Sequence, residues 1–377
     1  MSFAFTDDQQ LLADSAARFL TDKYGFDARR TVMTAEDGWS REMWRSFADM
    51  GWLALPLPEN YGGLGGSTVD LAILMEDFGR HLVVEPYLAT VVLGAETIAR
   101  AGSDDQKAEI LPQVAEGKLT LAFAHGEPAG RFDLARIAAA AARQDGGWVL
   151  SGHKAVVHHA QTADRLIVSA RTSGQTADRD GITLFLVDPQ APGVALRPYP
   201  TIDGLRAADV ILDGAVVPDS DVLGEVDAAL PVIEQVVDRA LVALSAEAVG
   251  AMDATIALTG EYLKTRQQFG RPLAAFQVLQ HRMVEMLAAK EFARALCYRA
   301  AGAMDDTTGV ERARAAAALK SETGRAGKRI GQDAIQLHGG MGMTDDMAVG
   351  HYFKRMTMID VQFGNAAYHL RRFAGLS

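Results

Sequence analysis

The sequence has one cysteine, Cys297, among 377 residues. One thiol cannot close an internal disulfide or build a cysteine-ligated zinc or iron–sulfur centre, and it fits a reducing, cytoplasmic setting. Excess positive charge is also missing: 37 Lys and Arg face 48 Asp and Glu, a formal net charge of −11. That field repels nucleic acid and anionic membrane, so a phosphate-bearing ligand needs a local basic site. No run of about 18 uncharged apolar residues is present to span a bilayer. The opening Met1-Ser2-Phe3-Ala4-Phe5-Thr6-Asp7-Asp8 lacks the basic and apolar regions of a signal peptide. Long charge blocks are absent too, and 49% apolar with 23% charged residues is an ordinary globular composition. The chain is more than twice the ~150 residues of one domain, which leaves ample length for a large core.

What is present divides into three textures. From residue 1 to 118 the pattern is helical. Leu11, Leu12, Ser15, Ala16, Phe19 and Leu20 recur at three- and four-residue spacing behind Thr6 as N-cap. A Pro- and Gly-dense break at residues 56–66 marks a loop, and Val69 to Leu82 is a second amphipathic run. From 119 to 226 short strands are expected around residues 119–124, 148–151, 165–170 and 182–187, a small antiparallel barrel or sandwich. From 227 to 377 long amphipathic helices predict a four-helix bundle. Within it, Gly324, Gly327 and Gly331 mark close helix–helix approach. The fold class is therefore α+β, with a helical domain, a β-domain and a helix bundle in that order.

Several chemistries are excluded by missing motifs. There is no G-x-G-x-x-G after a strand and no P-loop. His338-Gly339-Gly340 has no G-x-S-x-G partner. His158-His159 would point to opposite faces of a strand, and no H-E-x-x-H helix is present, so no metal site is expected.

Three segments, in this order and spacing, carry a resemblance that covers nearly the whole chain. They are Met50-Gly-Trp-Leu-Ala-Leu-Pro-Leu-Pro-Glu-Asn-Tyr-Gly-Gly-Leu-Gly-Gly66, Tyr262-Leu-Lys-Thr-Arg-Gln-Gln-Phe-Gly-Arg-Pro-Leu-Ala-Ala-Phe-Gln277 and Gln336-Leu-His-Gly-Gly-Met-Gly-Met-Thr344. Together they resemble the acyl-CoA dehydrogenase family. The resemblance implies FAD held between the β-domain and the bundle, with a neighbouring subunit completing each site. It also implies α-proton abstraction and β-hydride transfer on an acyl-CoA substrate, and electron-transfer flavoprotein as the acceptor. Its implied cofactor-binding residues are Phe123, Gly126, His158, Arg266, Phe269, Gln277, Gln336, Leu337, Gly339, Gly340 and Asn365. The residue chemistry agrees: Arg266 offers a guanidinium fork to a pyrophosphate. Gly339 and Gly340 let backbone N–H groups approach an anion, and Gln277 and Gln336 offer amides.

The departures are as informative. Phe123-Ala-His-Gly-Glu-Pro-Ala-Gly130 stands where relatives have a T-E-P-x-A-G-S-D-like loop. Glu127 and Pro128 are kept, but Gly126 replaces the threonine. In Gly152-His-Lys-Ala-Val-Val-His158, Val156 takes the place of a tryptophan that covers the flavin, and His158 that of a hydroxyl near N5; histidine can donate the same bond. Relatives carry the α-proton base as glutamate in Y-E-G-[TS], which here is Gln362-Phe363-Gly364-Asn365. Phe363 accepts no proton. An alternative base position on the first bundle helix falls on Ala240, with Asp238 two residues away, a rotation of about 200°. Asp238, His158 and Asp360 are the remaining candidates, and the catalytic residue stays open. Gly350–Arg355 and Leu241–Gly250 resemble a base-less, small-subunit type of chain. Three readings follow: a subunit of a homo- or hetero-tetramer beside a base-bearing homologous chain, a homo-oligomer with a relocated base, or a non-catalytic flavin- or CoA-binding scaffold. Arg131, Lys354 and Arg355 are the candidate phosphate partners for CoA.

Overall fold

The computed structural model describes residues 5–305, 307 and 309–376; Met1–Ala4, part of the stretch read as lacking a leader, lie outside them. The helices are α1 (Asp7–Lys23), α2 (Phe26–Thr34), α3 (Arg41–Asp49), α4 (Thr68–His81), α5 (Glu96–Ala101), α6 (Asp104–Ala115), α7 (Leu230–Thr265), α8 (Gln277–Met304), α9 (Gly309–His338), α10 (Ala348–Val361) and α11 (Ala366–Gly375). The strands are β1 (Leu121–Ala124), β2 (Ala140–Gln144), β3 (Gly147–His158), β4 (Arg165–Arg171), β5 (Ile182–Val187), β6 (Val194–Pro200), β7 (Arg206–Pro218), β8 (Val222–Leu223) and the short hairpin β9 (Gln267–Gln268) and β10 (Arg271–Pro272). They pack as two compact units with interleaved segments. One combines Met1–Thr31, Ser67–Val83 and Leu241–Ser377; the other combines Val32–Gly66 and Val84–Ala240.

In the first unit the sequence signals act locally as expected. Thr6 caps α1 in a capping box with Gln9, and Ser67 caps α4 with Asp70. The apolar face of α4 (Leu71, Leu74, Met75, Phe78) is fully buried. α4 and the C-terminal part of α7 cross at glycines: a Cβ on Gly250 would collide with the Glu76 carbonyl, and one on Gly79 with that of Glu247. The three glycines of α9 act similarly, with Gly324 against Asp360, Gly327 against Met356 and Gly331 against Phe353 of α10. α7 is long and apolar, and 72% of its most hydrophobic 18-residue window is buried inside the protein, as in a core helix.

The second unit carries an eight-stranded sheet in the order β6-β7-β3-β2-β4-β5-β8, with β1 added beside β4. The expectation of a purely antiparallel β-domain is refined here. β1 runs parallel to β4, and β2 touches β4 in parallel at Ala140 and Arg171, while the other pairs are antiparallel. The parallel pair arises because β1 and β4 are joined by the long β2–β3 excursion, which returns the chain in the same direction. β3 is bulged between Lys154 and Val157. Leu88–Ala95 forms a buried π-helical segment ahead of α5.

Candidate active site

In the β-unit, β1 ends in the loop 125–130. Phe123 is buried and its ring stacks on His125 at 5.7 Å. Beneath the loop lies a buried ion pair: Lys154 Nζ donates to Glu127 Oε1 at 2.6 Å and to Ser169 Oγ at 3.2 Å. The Glu127 carboxylate also accepts from the amides of Ala138 and Ala139. Burial lowers the Lys154 amine to about 8, against the opposing pull of Glu127. It lowers His125 to about 3, with the Lys154 charge adding to the effect. Gly126 is exposed, and its carbonyl accepts from Ala155 N–H at 2.8 Å, so the loop is stitched to the β3 bulge. At that bulge Val156 has φ +55° and is 48% exposed. His158 is half-buried at the end of β3, opposite Ala207.

In the helical unit, β9 and β10 form a tight hairpin whose turn residues, Phe269 and Gly270, both have positive φ. That is the twist a two-residue hairpin requires. It leaves Phe269 88% exposed. Arg266 at its base is exposed, with no ion pair among the described residues. Phe269 meets Phe276 edge-on, and the Arg271 guanidinium lies 4.0 Å over the Phe276 ring. Gln277 opens α8 in solvent. At the end of α9, Gln336 is exposed and Leu337 buried; both line an open cleft of about 620 Å³ with Val278, Leu279, Arg282, Gln332 and Asp333. Gly339 (φ +60°) and Gly340 have nothing within 4 Å of where a Cβ would stand. Of the expected cofactor-binding residues only Gln336 and Leu337 line the cleft. An exposed guanidinium at Arg266, exposed amides at Gln277 and Gln336 and open backbone at Gly339 and Gly340 are the donor types a pyrophosphate-bearing dinucleotide takes, so the residues present fit FAD.

The segment at the usual base position is tightly held. Lys320 is fully buried on α9, and its Nζ donates to the carbonyls of Asp360 (2.9 Å), Gln362 (3.0 Å) and Gly364 (2.7 Å). His369 Nε2 donates to the Phe363 carbonyl at 3.0 Å. Burial lowers Lys320 to about 7, opposed by Asp360, and lowers His369 to about 3, helped by the Lys320 charge. Phe363 itself has φ +55°. Asn365 is used as the N-cap of α11, its Oδ1 accepting from Tyr368 N–H. Asp360 Oδ1 accepts from Ala366 N–H.

Two expected residues take other roles. Arg355 is not a surface phosphate partner: it is buried and bidentate to Glu247 at 2.5 and 2.7 Å, because α10 turns it inward. Lys354 pairs with Asp345 at 3.0 Å on the surface. Arg131 is exposed, with φ +52°. Asp238 and Ala240 are fully buried in the first turns of α7, and the intervening Arg239 is bonded to Glu96 at 2.5 Å. Sequence reasoning missed Lys320 and the partners of Lys154. A lysine inside an alanine-rich helix was the one available signal.

Models of three acyl-CoA dehydrogenase domains match in order: the N-terminal domain over residues 6–118, the middle domain over 122–214 and the C-terminal domain over 230–375. The chain belongs to the acyl-CoA dehydrogenase family. Among solved structures, a variant of the Tcur3481-Tcur3483 steroid ACAD is similar at 32% identity and a TM-score of 0.88, covering 98% of this chain and 97% of that one. The ChsE4-ChsE5 complex of Mycobacterium tuberculosis is 26% identical, with a TM-score of 0.90 over 100% and 98% of the two chains. The FAD complex of PigA is 26% identical, with a TM-score of 0.92 over 100% and 98%. The family makes this chain an oxidoreductase-type flavoprotein with FAD as cofactor.

Proposed function

We propose that this chain is a FAD-holding subunit in the α,β-desaturation of a CoA thioester, and that a homologous, base-bearing chain in the same tetramer removes the α-proton. The observation that carries this reading is Phe363. The position where the family places its glutamate holds a hydrocarbon ring, and Lys320 and His369 fix the backbone around it. Neither nearby acid replaces it. Asp360 is engaged at the start of α11 and Asp238 is buried in α7. General base catalysis needs a carboxylate within hydrogen-bond reach of the α-proton and is worth roughly 10²–10⁴ in rate.

FAD, when bound, supplies hydride acceptance. We assign Arg266 to its pyrophosphate, Gly339 and Gly340 to backbone contacts with it, and Gln277 and Gln336 to the cofactor's polar atoms. Phe269 and Leu337 pack beside it, and Phe123, Gly126, His158 and Asn365 complete the set, with Gly126 and His158 toward the ring. The paired-chain names of two similar structures, one of them a complex, support a hetero-oligomer, and the steroid named for one supports a bulky acyl group. Val156 in place of tryptophan agrees with extra room. Electron-transfer flavoprotein is the proposed acceptor.

The test is an anaerobic visible spectrum of the chain purified alone while a panel of acyl-CoAs, steroid-derived ones included, is added. Flavin bands that persist support the reading, provided they bleach once the base-bearing chain is added. Bleaching in the single chain would overturn it and direct attention to His158.

A further inference from the structure

The most unusual backbone in the β-unit belongs to Val156. A β-branched residue at φ +55° is a steric outlier, and such conformations persist only where surrounding contacts over-determine them. The contacts here come from three polar side chains on β3, β6 and β7. Asp209 Oδ1 accepts from the Tyr199 hydroxyl at 2.8 Å and from Val156 N–H at 3.4 Å, and Asp209 Oδ2 pairs with His153 Nε2 at 3.0 Å. Val156 N–H also donates to the Tyr199 hydroxyl oxygen at 3.2 Å. Burial pushes the Asp209 carboxyl up, but the bonds from Tyr199, His153 and Val156 outweigh it and hold the group below the usual carboxylate range. Burial and then Asp209 raise the Tyr199 hydroxyl to about 12, so it remains a donor at neutral pH.

This brace lies next to the loop that resembles the flavin-edge loop. The residue before the outlier, Ala155, donates its N–H to Gly126, and the residue before that, Lys154, holds Glu127. Any relaxation of Val156 into an extended conformation would rotate the peptide between Ala155 and Val156 and disturb its neighbours. We propose that Asp209 is a positioning residue which, with Tyr199, holds the bulge at Val156 and thereby sets the backbone that faces the bound flavin. The proposal rests on the FAD assignment above. Asp209 and Tyr199 act through the Val156 backbone, whose N–H bonds to both.

The experiment compares FAD dissociation constants, flavin midpoint potentials and visible band shapes in four proteins: the unsubstituted chain, Asp209→Ala, Tyr199→Phe, and Asp209→Ala combined with Val156→Gly. Removal of the brace is expected to weaken FAD binding at least tenfold and move the band shape toward that of free flavin. Glycine adopts the left-handed region without strain, so the double variant is expected to recover most of the affinity. A merely structural role for Asp209 would give no such rescue. Where Asp209→Ala fails to fold, Tyr199→Phe carries the test, since it keeps the ring and removes one hydroxyl. Affinity and potential within twofold of the unsubstituted chain in the foldable variants overturn the proposal while leaving FAD binding intact. A double variant no better than Asp209→Ala also overturns it. Absence of FAD from the unsubstituted chain, with or without a copurified partner chain, would sink the cofactor assignment and this proposal together.

Discussion

Phe363 and Lys320 together decide what a single residue change can do here. Phe363→Glu places a carboxylate at the family's base position while Lys320 still fixes the flanking carbonyls. The expected outcome is flavin bleaching by acyl-CoA in the single chain at a rate about 10²–10⁴ above the unsubstituted protein, read by anaerobic stopped-flow absorbance. Lys320→Met removes a buried donor from three carbonyls. A loss of about 2–4 kcal/mol is expected in denaturant melts, with faster amide exchange confined mainly to residues 360–369. The lysine was legible in the sequence only as a charge inside an alanine-rich helix. Its three acceptors lie 40 to 44 residues away, and no periodicity announces a contact of that range. Asp209 and Tyr199 were invisible for the same reason.

Among the elements, the helices were the most readable, because three-and-four spacing and capping residues are local signals that packing does not override. Thr6, Ser67 and the α9 glycines all act as their residue types predict. β6 and β7 were not foreseen. β6 is largely solvent-facing, and β7 alternates burial irregularly past a register shift, so neither gives a clean period of two. Arg355 failed as a surface cation because α10 is paired on its inner face through a charged contact with Glu247. The crossing of α4 and α7 yields its own prediction. Gly250→Ala drives a methyl group into the Glu76 carbonyl, and overpacking of this kind costs about 2–3 kcal/mol. Gly302→Ala adds a methyl group where nothing lies within 4 Å, and is expected to be neutral or stabilising when both variants are compared in thermal melts.

Acid stability belongs to the whole molecule. His125 and His369 are both lowered to about 3 by burial first and by a neighbouring lysine second. Between about pH 6.5 and 3 the unfolded chain binds protons at these sites that the folded chain refuses. Each group therefore removes up to about 1.4 kcal/mol of stability per pH unit as pH falls through that window. Asp77, raised to about 6 chiefly by burial, works in the opposite direction between pH 6 and its unfolded value. Two histidines against one such carboxyl give a net loss from these groups. His369→Gln keeps a side-chain N–H for the Phe363 carbonyl and removes the titration. The check is urea unfolding at pH 7 and pH 4.5: the variant should lose distinctly less stability than the unsubstituted chain between those values.

The interleaving of segments also governs the order in which the protein can be made. Met1–Thr31 and Ser67–Val83 belong to a unit that is completed only by Leu241–Ser377. Roughly 160 residues separate Val83 from Leu241, so at ribosomal speed the α4 face waits on the order of 10–30 s for its partner to be synthesised. During that interval α4 has α1 to pack on but not α8 or α7, so part of the surface that buries Leu71, Leu74, Met75 and Phe78 is still missing. A nascent chain stalled between α4 and α7 would consequently carry a half-built helical layer, and exposed apolar surface of that kind favours aggregation.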